Sequence, residues 1–236
     1  MARIASFHLV SEPTYRTPLV LARLGTDRLS LRRAPGLVFF RLLGTGAGDD
    51  TAPSADLSRS ALFAVWESEA ALDRFVAESA ISRRWQRAEE VWQVRLRGAG
   101  GHGTWRGFDV LDGLEAARHD AGGSPVAIIT RADVRRSARP AFAEAGRPVS
   151  DEVRAAAGLL GVVGIGETPR SRLGTFSLWR SAADARAFVA QPHHRETIRR
   201  TRAEQWYGEE MFARFEPYGA SGTWDGRDPL AVGPVG

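Results

Sequence analysis

His193 and His194 are the side chains best suited by type to do chemistry, standing side by side in Gln191-Pro192-His193-His194-Arg195-Glu196. Pro192 suits the first turn of a helix, where its missing N–H would have had no intrahelical partner. On a helix running on to Gln205, His194 shares a face with Ile198, Thr201 and Gln205. His193 points about 100° away, with Thr197 and Arg200. A regular helix cannot turn both rings to one ligand, so the pair is no zinc motif. Imidazole is the commonest protein ligand for metals, and it serves haem iron where no thiolate is present. Capping or packing at a helix start is the plainer role for either ring. His8, His102 and His119 are isolated in sequence, and of these only His8, on a predicted strand, is placed to point inward.

Other chemistries find little support. The chain has no Cys, which excludes disulfides, thiolate metal sites and cysteine nucleophiles. Gly44-Thr45-Gly46-Ala47-Gly48 lacks the GK[ST] of a phosphate loop and reads as a turn. No G-x-S-x-G elbow and no H-E-x-x-H occurs. Glu209 and Glu210 begin a predicted strand and so point to opposite faces.

Composition narrows the class. The 236 residues are 43% hydrophobic and 25% charged, an ordinary globular mixture. No run approaches the ~18 apolar residues of a membrane helix, and the N-terminus has no apolar leader, so a cytoplasmic protein is expected. All 32 basic residues are Arg, set among 28 acidic ones, for a net charge of +4. The densest groups, Arg83-Arg84 with Arg87 and Arg199-Arg200 with Arg202, fall on predicted helices with Glu nearby and read as solvated faces. No nucleic-acid motif accompanies them, and no nucleic-acid partner is expected.

An internal duplication supplies the elements that position these residues. Leu62 to Ala77 aligns without gaps on Thr175 to Ala190 with seven of 16 positions identical, among them Phe63/Phe176, Trp66/Trp179, Ser68/Ser181 and Phe75/Phe188. Gly103-Thr104-Trp105 returns as Gly222-Thr223-Trp224, so the offset grows from 113 to 119 and the second copy carries six extra residues between Ala190 and Arg214. The extra residues lie around the His pair. Aligned without a gap, His194 falls opposite Ile81, so the imidazole has no counterpart. Trp66/Trp179 and Trp105/Trp224 recur and read as core, whereas Trp206, near the asymmetric helix, either joins the core or lines a cavity.

In the first copy, strands are expected at Ile4 to Val10, Leu37 to Leu43, Ala61 to Trp66 and Val91 to Arg97. Helices are expected from Tyr15 to Leu31, after the N-cap Ser68 through Ala77, and near Ser82 to Glu89. In the second copy strands are expected at Val126 to Thr130, Gly161 to Ile165, Gly174 to Trp179 and Glu209 to Glu216. Its helices are expected near Ser150 to Leu159, Ser181 to Ala190 and Pro192 to Gln205. Strand–helix–strand–strand–helix–strand is the ferredoxin-like order. The expected fold is therefore α+β: two ferredoxin-like repeats, 1–112 and 125–224, forming a pseudo-dimeric α/β barrel with a cavity between them. Gly113 to Ser124 reads as a linker and 225–236 as an irregular tail. Exposed sheet edges leave a homodimer open.

The run Phe176-Ser177-Leu178-Trp179, then Phe188, His194 and Ile198-Arg199-Arg200-Thr201-Arg202-Ala203-Glu204-Gln205-Trp206-Tyr207-Gly208-Glu209-Glu210-Met211-Phe212-Ala213-Arg214-Phe215, resembles the C-terminal signature of the spheroidene monooxygenases, haem-containing carotenoid oxygenases. Pro35-Gly36-Leu37-Val38-Phe39-Phe40-Arg41-Leu42-Leu43-Gly44-Thr45-Gly46 is similar to another motif of that family, as are Thr130-Arg131-Ala132 and Gly164-Ile165-Gly166-Glu167-Thr168-Pro169. Tyr207-Gly208 departs from the family's usual Phe and small polar residue. The resemblance covers nearly the whole chain in order.

That resemblance implies a haem-dependent monooxygenase. His194 matches the family's His and is the candidate axial ligand of a b-type haem in the cavity between the halves. Arg195, Arg199 or Arg202 would pair with a haem propionate, Trp206 would border the cofactor, and His8 would be the distal catalytic group. The implied substrate is a small hydrophobic or specialised metabolite, and the implied electron donor a ferredoxin-type protein. The same scaffold leaves two other readings: a haem-dependent dehydratase or related N–O bond chemistry, which needs no O₂, and a non-catalytic haem-binding protein.

Overall fold

Alternation along the strands decides which side chains fill the interior. In the computed structural model, which describes residues 2–46, 55–118, 123–168 and 172–231, Ala5, Phe7 and Leu9 of β1 (Ile4–Ser11) point into one large apolar cluster, while Ile4 belongs to a second cluster on the opposite face. The other strands are β2 (Leu37–Gly46), β3 (Ala55–Trp66), β4 (Glu90–Gly103), β5 (Val126–Val134), β6 (Leu159–Thr168), β7 (Arg172–Trp179) and β8 (Tyr207–Gly222). All pair antiparallel and close into a barrel in the order β1-β3-β2-β6-β7-β5-β8-β4. The first four strands run β2-β3-β1-β4 and the last four β6-β7-β5-β8, the same internal order twice. The seam between β2 and β6 is short, pairing Gly44 with Gly166 and Thr45 with Ile165.

Helices α1 (Thr17–Arg32), α2 (Glu69–Glu78) and α3 (Ala80–Trp85) belong to the first half, and α4 (Arg139–Arg154), α5 (Ala182–Val189) and α6 (Pro192–Ala203) to the second. Ser68 and Ser181 are repeats of one cap: each hydroxyl accepts a backbone N–H, from Ala71 at 3.3 Å and from Asp184 at 3.1 Å. The helix expected near Ser150 to Leu159 lies instead at Arg139–Arg154. A proline occupies its first turn, the helix tolerates Pro148 inside it, and Leu159 already belongs to β6. Gly44-Thr45-Gly46, expected as a turn, continues β2, with the Thr45 hydroxyl donating to the Arg59 carbonyl at 3.1 Å. Ala47, Gly48 and His119 lie outside the described residues. The six extra residues of the second copy take a simple form: α3 has 6 residues and its counterpart α6 has 12.

The barrel interior is filled. Phe7, Phe39, Phe63, Phe176, Phe215 and Trp92 pack there with Ala, Val, Leu and Ile from every strand. Trp105 and Trp224 close the ends. Each starts a tight turn, with Trp105 N–H donating to Phe108 O at 2.8 Å and Trp224 N–H to Arg227 O at 2.7 Å. Arg106 and Asp225 both stand in the left-handed region there, at φ 55° and 54°. Among the described residues the interior leaves a cavity of about 10 Å³, beside Trp105, Arg131 and Glu167, which is room for about one water molecule. The expected cofactor chamber between the halves is therefore corrected: apolar side chains occupy that space. No described helix is long and apolar enough to cross a membrane.

Candidate functional site

His194 is fixed by its backbone as much as by its ring. The start of α6 has no side-chain cap of its own. Glu152 of α4 supplies one, accepting from His193 N–H and His194 N–H at 2.9 Å each through its two carboxylate oxygens, an anion at the positive end of a helix. The His194 ring packs on Phe188, centroids 4.5 Å apart, and Phe188 stacks in turn on Trp179 at 5.2 Å. Burial lowers the His194 pKa below its ordinary value, so the ring is neutral at physiological pH. Nδ1 lies 3.4 Å from the Val189 carbonyl oxygen, and Nε2 has no hydrogen-bond partner among the described residues. A neutral imidazole held through Nδ1 with Nε2 left over is the disposition of a metal-ligating histidine. His193 is exposed, and the adjacent imidazoles thus part company as the helical spacing predicts.

Arg195, Arg199 and Arg202 stand exposed on an open surface of α6 with Pro192, Glu196, Ile198 and Ala203, about 80–140° round the helix from His194. Arg199 is paired with Glu196 at 2.6 Å, whereas Arg195 and Arg202 make no ion pair among the described residues. Trp206 packs in the core. It is buried with Val134 and Ala138 and donates from its indole N–H to Glu204 at 2.8 Å, with the Arg200 guanidinium 5.0 Å over the ring. Its expected place at a cofactor is corrected to core packing.

His8 is corrected too. It points away from the barrel interior, because Phe7 and Leu9 take the inward positions, and it is sealed beneath α2 and α3 against Phe75 and Trp85. His194 is on the helices of the other half, so His8 cannot act opposite a ligand held there. Its Nε2 is 3.0 Å from the Ser6 hydroxyl, which also accepts from the Trp66 indole at 2.9 Å.

Comparing the two outward sheet faces shows what the duplication changed. Ile4 pairs with Trp66 and Val126 with Trp179, so His8 opposite Leu62 corresponds to Thr130 opposite Thr175. By the same register Ser177 stands where the first half has Ala64. The first half packs this face into one continuous apolar cluster from Ile4 to Ile81. The second has two separate clusters, one around Trp179 and one around Trp206. Thr130 and Thr175 belong to neither, are half-buried, and bond to each other at 2.8 Å. Buried guanidinium Nε atoms with no hydrogen-bond partner among the described residues occur in both halves, at Arg41 and Arg97 in the first and at Arg139 and Arg214 in the second. The threonine pair and the divided apolar packing are where the second half departs from the first.

Two features escape a reading of the sequence. Glu152 lies forty residues from the histidines, and nothing in its neighbourhood signals a cap for another helix. The other is a charged layer at the Trp105 end of the barrel. Arg131, almost fully buried, is 2.5 Å from Glu209 and 2.6 Å from Asp133. Glu209 also accepts from the Thr104 hydroxyl at 2.7 Å and Gly107 N–H at 2.8 Å. Glu167 accepts from the Trp105 indole at 2.7 Å and lies 3.7 Å from Arg41. A signal for part of this layer existed: Glu209 repeats Glu90 at the offset of 119 that relates Trp224 to Trp105, and Glu90 accepts Asp225 N–H and Gly226 N–H at the other end. Among the described residues no group of three or more His, Cys, Asp or Glu is placed to hold a metal ion.

The chain is 31% identical over 220 residues to the spheroidene monooxygenase of Rhodobacter capsulatus, covering 92% of this chain and 91% of that protein. It is 36% identical over 196 residues to that of Rubrivivax gelatinosus, covering 82% and 73%. Against that of Cereibacter sphaeroides it is 31% identical over 214 residues, 89% of this chain, and spans 65% of that protein's length. No protein-family model matches. Among solved structures, an aldoxime dehydratase in complex with butyraldoxime superposes with a TM-score of 0.58 at 12% identity, over 92% of this chain and 79% of that one. Another aldoxime dehydratase gives 0.52 at 12%, over 92% and 81%. At that identity the likeness is one of fold.

Proposed function

The chain belongs to the spheroidene monooxygenase family, and from that membership we propose that it is a monooxygenase acting on an apolar, carotenoid-class substrate. The observation that carries the reading is 31–36% identity to three proteins of that name over most of the chain. Each turnover would place one oxygen atom of O₂ in the substrate and release the other as water, consuming two electrons and two protons. A ferredoxin-type protein is the proposed donor and the cytoplasm the proposed compartment. The repeated strand order supports two ferredoxin-like repeats, 1–112 and 125–224, followed by the tail 225–236.

A b-type haem is the proposed cofactor. The donor supports it: His194 offers a neutral ring whose Nε2 has no hydrogen-bond partner among the described residues. Bound haem would supply the oxygen-activating iron. His194 would hold it, Phe188 and the Val189 carbonyl would fix the plane of the imidazole, and Glu152 would fix the helix turn that carries it. Arg195 or Arg202, each about 80–100° round α6 from His194 and without an ion pair among the described residues, would receive a propionate carboxylate.

The test compares absorption spectra of wild type, His194→Ala and His193→Ala after expression with haem supply, followed by turnover of a carotenoid under ¹⁸O₂ with reduced ferredoxin. A Soret band lost or shifted only in His194→Ala, with one ¹⁸O atom in the product, is the expected result. No Soret band after haem titration overturns the cofactor, and turnover without O₂ overturns the oxygenase.

A further inference from the structure

The outer face of α1 is basic, apolar in part, and uncovered. Arg28, Arg32 and Arg33 are exposed and none forms an ion pair among the described residues. Leu29 stands among them, one turn from Arg32 and Arg33, and is 52% exposed. Tyr15, in the 3-10 turn Thr14–Arg16 that leads into the helix, is 76% exposed. These are the two most exposed large hydrophobic side chains among the described residues. The acidic residue of α1, Asp27, is bonded to Arg84 of α3, leaving the helix no carboxylate of its own to neutralise the outer face.

The internal copy provides a control. Helix α4 occupies the corresponding place between β5 and β6, and its exposed positions alternate in sign: Glu144, Arg147, Asp151 and Arg154, with Arg154 bonded to Asp151 at 3.3 Å. α4 is also packed against α6, which begins on its Glu152. The basic, uncovered face is thus a property of α1 and not of the repeat.

We infer that this face seats the protein on an anionic phospholipid surface, α1 lying in the plane of the interface. Guanidinium groups flanking an apolar residue, with an aromatic ring at one end, are the composition of an interfacial helix. Tyr15 and Leu29 are about 20 Å apart along the chain's helical rise, which suits a helix lying flat better than one entering end-on. What the contact is for rests on the proposed function: a carotenoid-class substrate dissolves in lipid, and a chain whose described helices do not cross a membrane must reach it from outside.

Co-sedimentation of the full chain with vesicles of phosphatidylcholine, and of phosphatidylcholine mixed with phosphatidylglycerol, tests this without any turnover. Its failure is therefore distinct from failure of the oxygenase reading. Binding to the anionic vesicles alone, abolished by high salt, is expected. Arg28→Ala, Arg32→Ala and Arg33→Ala should each weaken it roughly fivefold, Leu29→Ser should weaken it further, and Arg147→Ala on α4 should leave it unchanged. Equal binding to both vesicle types, or a triple arginine variant that binds like wild type while keeping its melting temperature, overturns the inference. A wild type that ignores both vesicles but binds polyglutamate through the same arginines also overturns it, and assigns the face to an acidic protein.

Discussion

Phe7 and Phe176 lie face to face inside the barrel, ring centroids 3.8 Å apart and planes 3° from parallel, one ring from each half of the chain. Their stack is flanked by Trp92 and Trp224, both within 6.3 Å of Phe176. Truncating either ring leaves a cavity that rigid strands cannot collapse. Phe7→Ala and Phe176→Ala should each cost about 3–5 kcal/mol, read as a lowered urea midpoint at unchanged slope. The double variant should cost less than the sum of the two, since each single change already removes the stack.

His8 makes stability depend on acid. Burial pushes its pKa down from 6.5 to about 4, against a raising contribution from Gln93. The ring is neutral in the folded state and takes up its proton more readily when unfolded. Stability is therefore full above about pH 6.5 and falls as the pH drops toward 4, by roughly 3 kcal/mol in all. Its contacts are Ser6, Gln93, Phe75 and Trp85, none of which carries a charge. His8→Leu should flatten the melting temperature across that window. A wild-type slope retained in the variant would assign the acid sensitivity to other groups.

Glu209 is shifted in the same direction for a different reason. Burial raises its pKa, but Gly107 N–H, the Thr104 hydroxyl and Arg131 outweigh burial and hold it near 2. Its stabilisation is complete above the usual carboxylate range and is lost as the pH falls toward 2. Glu209→Gln should cost about 2–4 kcal/mol at neutral pH, because Arg131 keeps its buried charge with Asp133 as its remaining partner. Proteolysis between Thr104 and Phe108 should quicken in the same variant, since that turn loses its anchor.

Two glycines test the closure of the barrel. A Cβ on Gly103 would stand 2.1 Å from the Glu210 carbonyl oxygen, and one on Gly222 would stand 1.9 Å from that of Val91. Both residues have φ of 83°, and both precede the Thr-Trp of an end turn. Gly103→Ala and Gly222→Ala should each destabilise by more than about 2 kcal/mol. Gly25→Ala on α1, where a Cβ meets nothing within 4 Å, should stabilise by about 0.5–1 kcal/mol. Thermal melts of the three variants should diverge in sign.

Glu152 is the remaining test of the α6 arrangement. Glu152→Ala leaves two helix-start N–H groups without their acceptor and should cost about 1–2 kcal/mol. If His194 holds a haem, the same change should weaken haem binding about 10–100-fold, the usual cost of losing support behind a ligand. Glu152→Gln, which can still accept one bond, should fall between.

The strands and the caps were legible because they rest on local rules: apolar runs bounded by Gly or Pro, and serines at Ser68 and Ser181 placed to accept a backbone N–H. The duplication was legible because aromatic residues recur in order. Position relative to the barrel wall was not. His8 reads as a strand residue, but which face it takes depends on closure, and closure is a property of eight strands together. The α4 boundaries failed because Pro140 and Pro148 sit eight residues apart, one at a position where proline is welcome and one where it is merely tolerated. The charged layer around Arg131 joins five distant segments, and long-range pairing of that kind leaves no periodicity behind.

Strands β2 with β6 and β4 with β8 join the halves within one chain. Had two identical chains made these seams, every substitution would appear twice, and assembly would slacken on dilution. A tether removes both constraints. Six residues can be added to one helix without being added to its twin, one sheet face can trade leucine and histidine for threonine while the other keeps its packing, and the ring closes at an effective concentration fixed by the linker rather than by expression level.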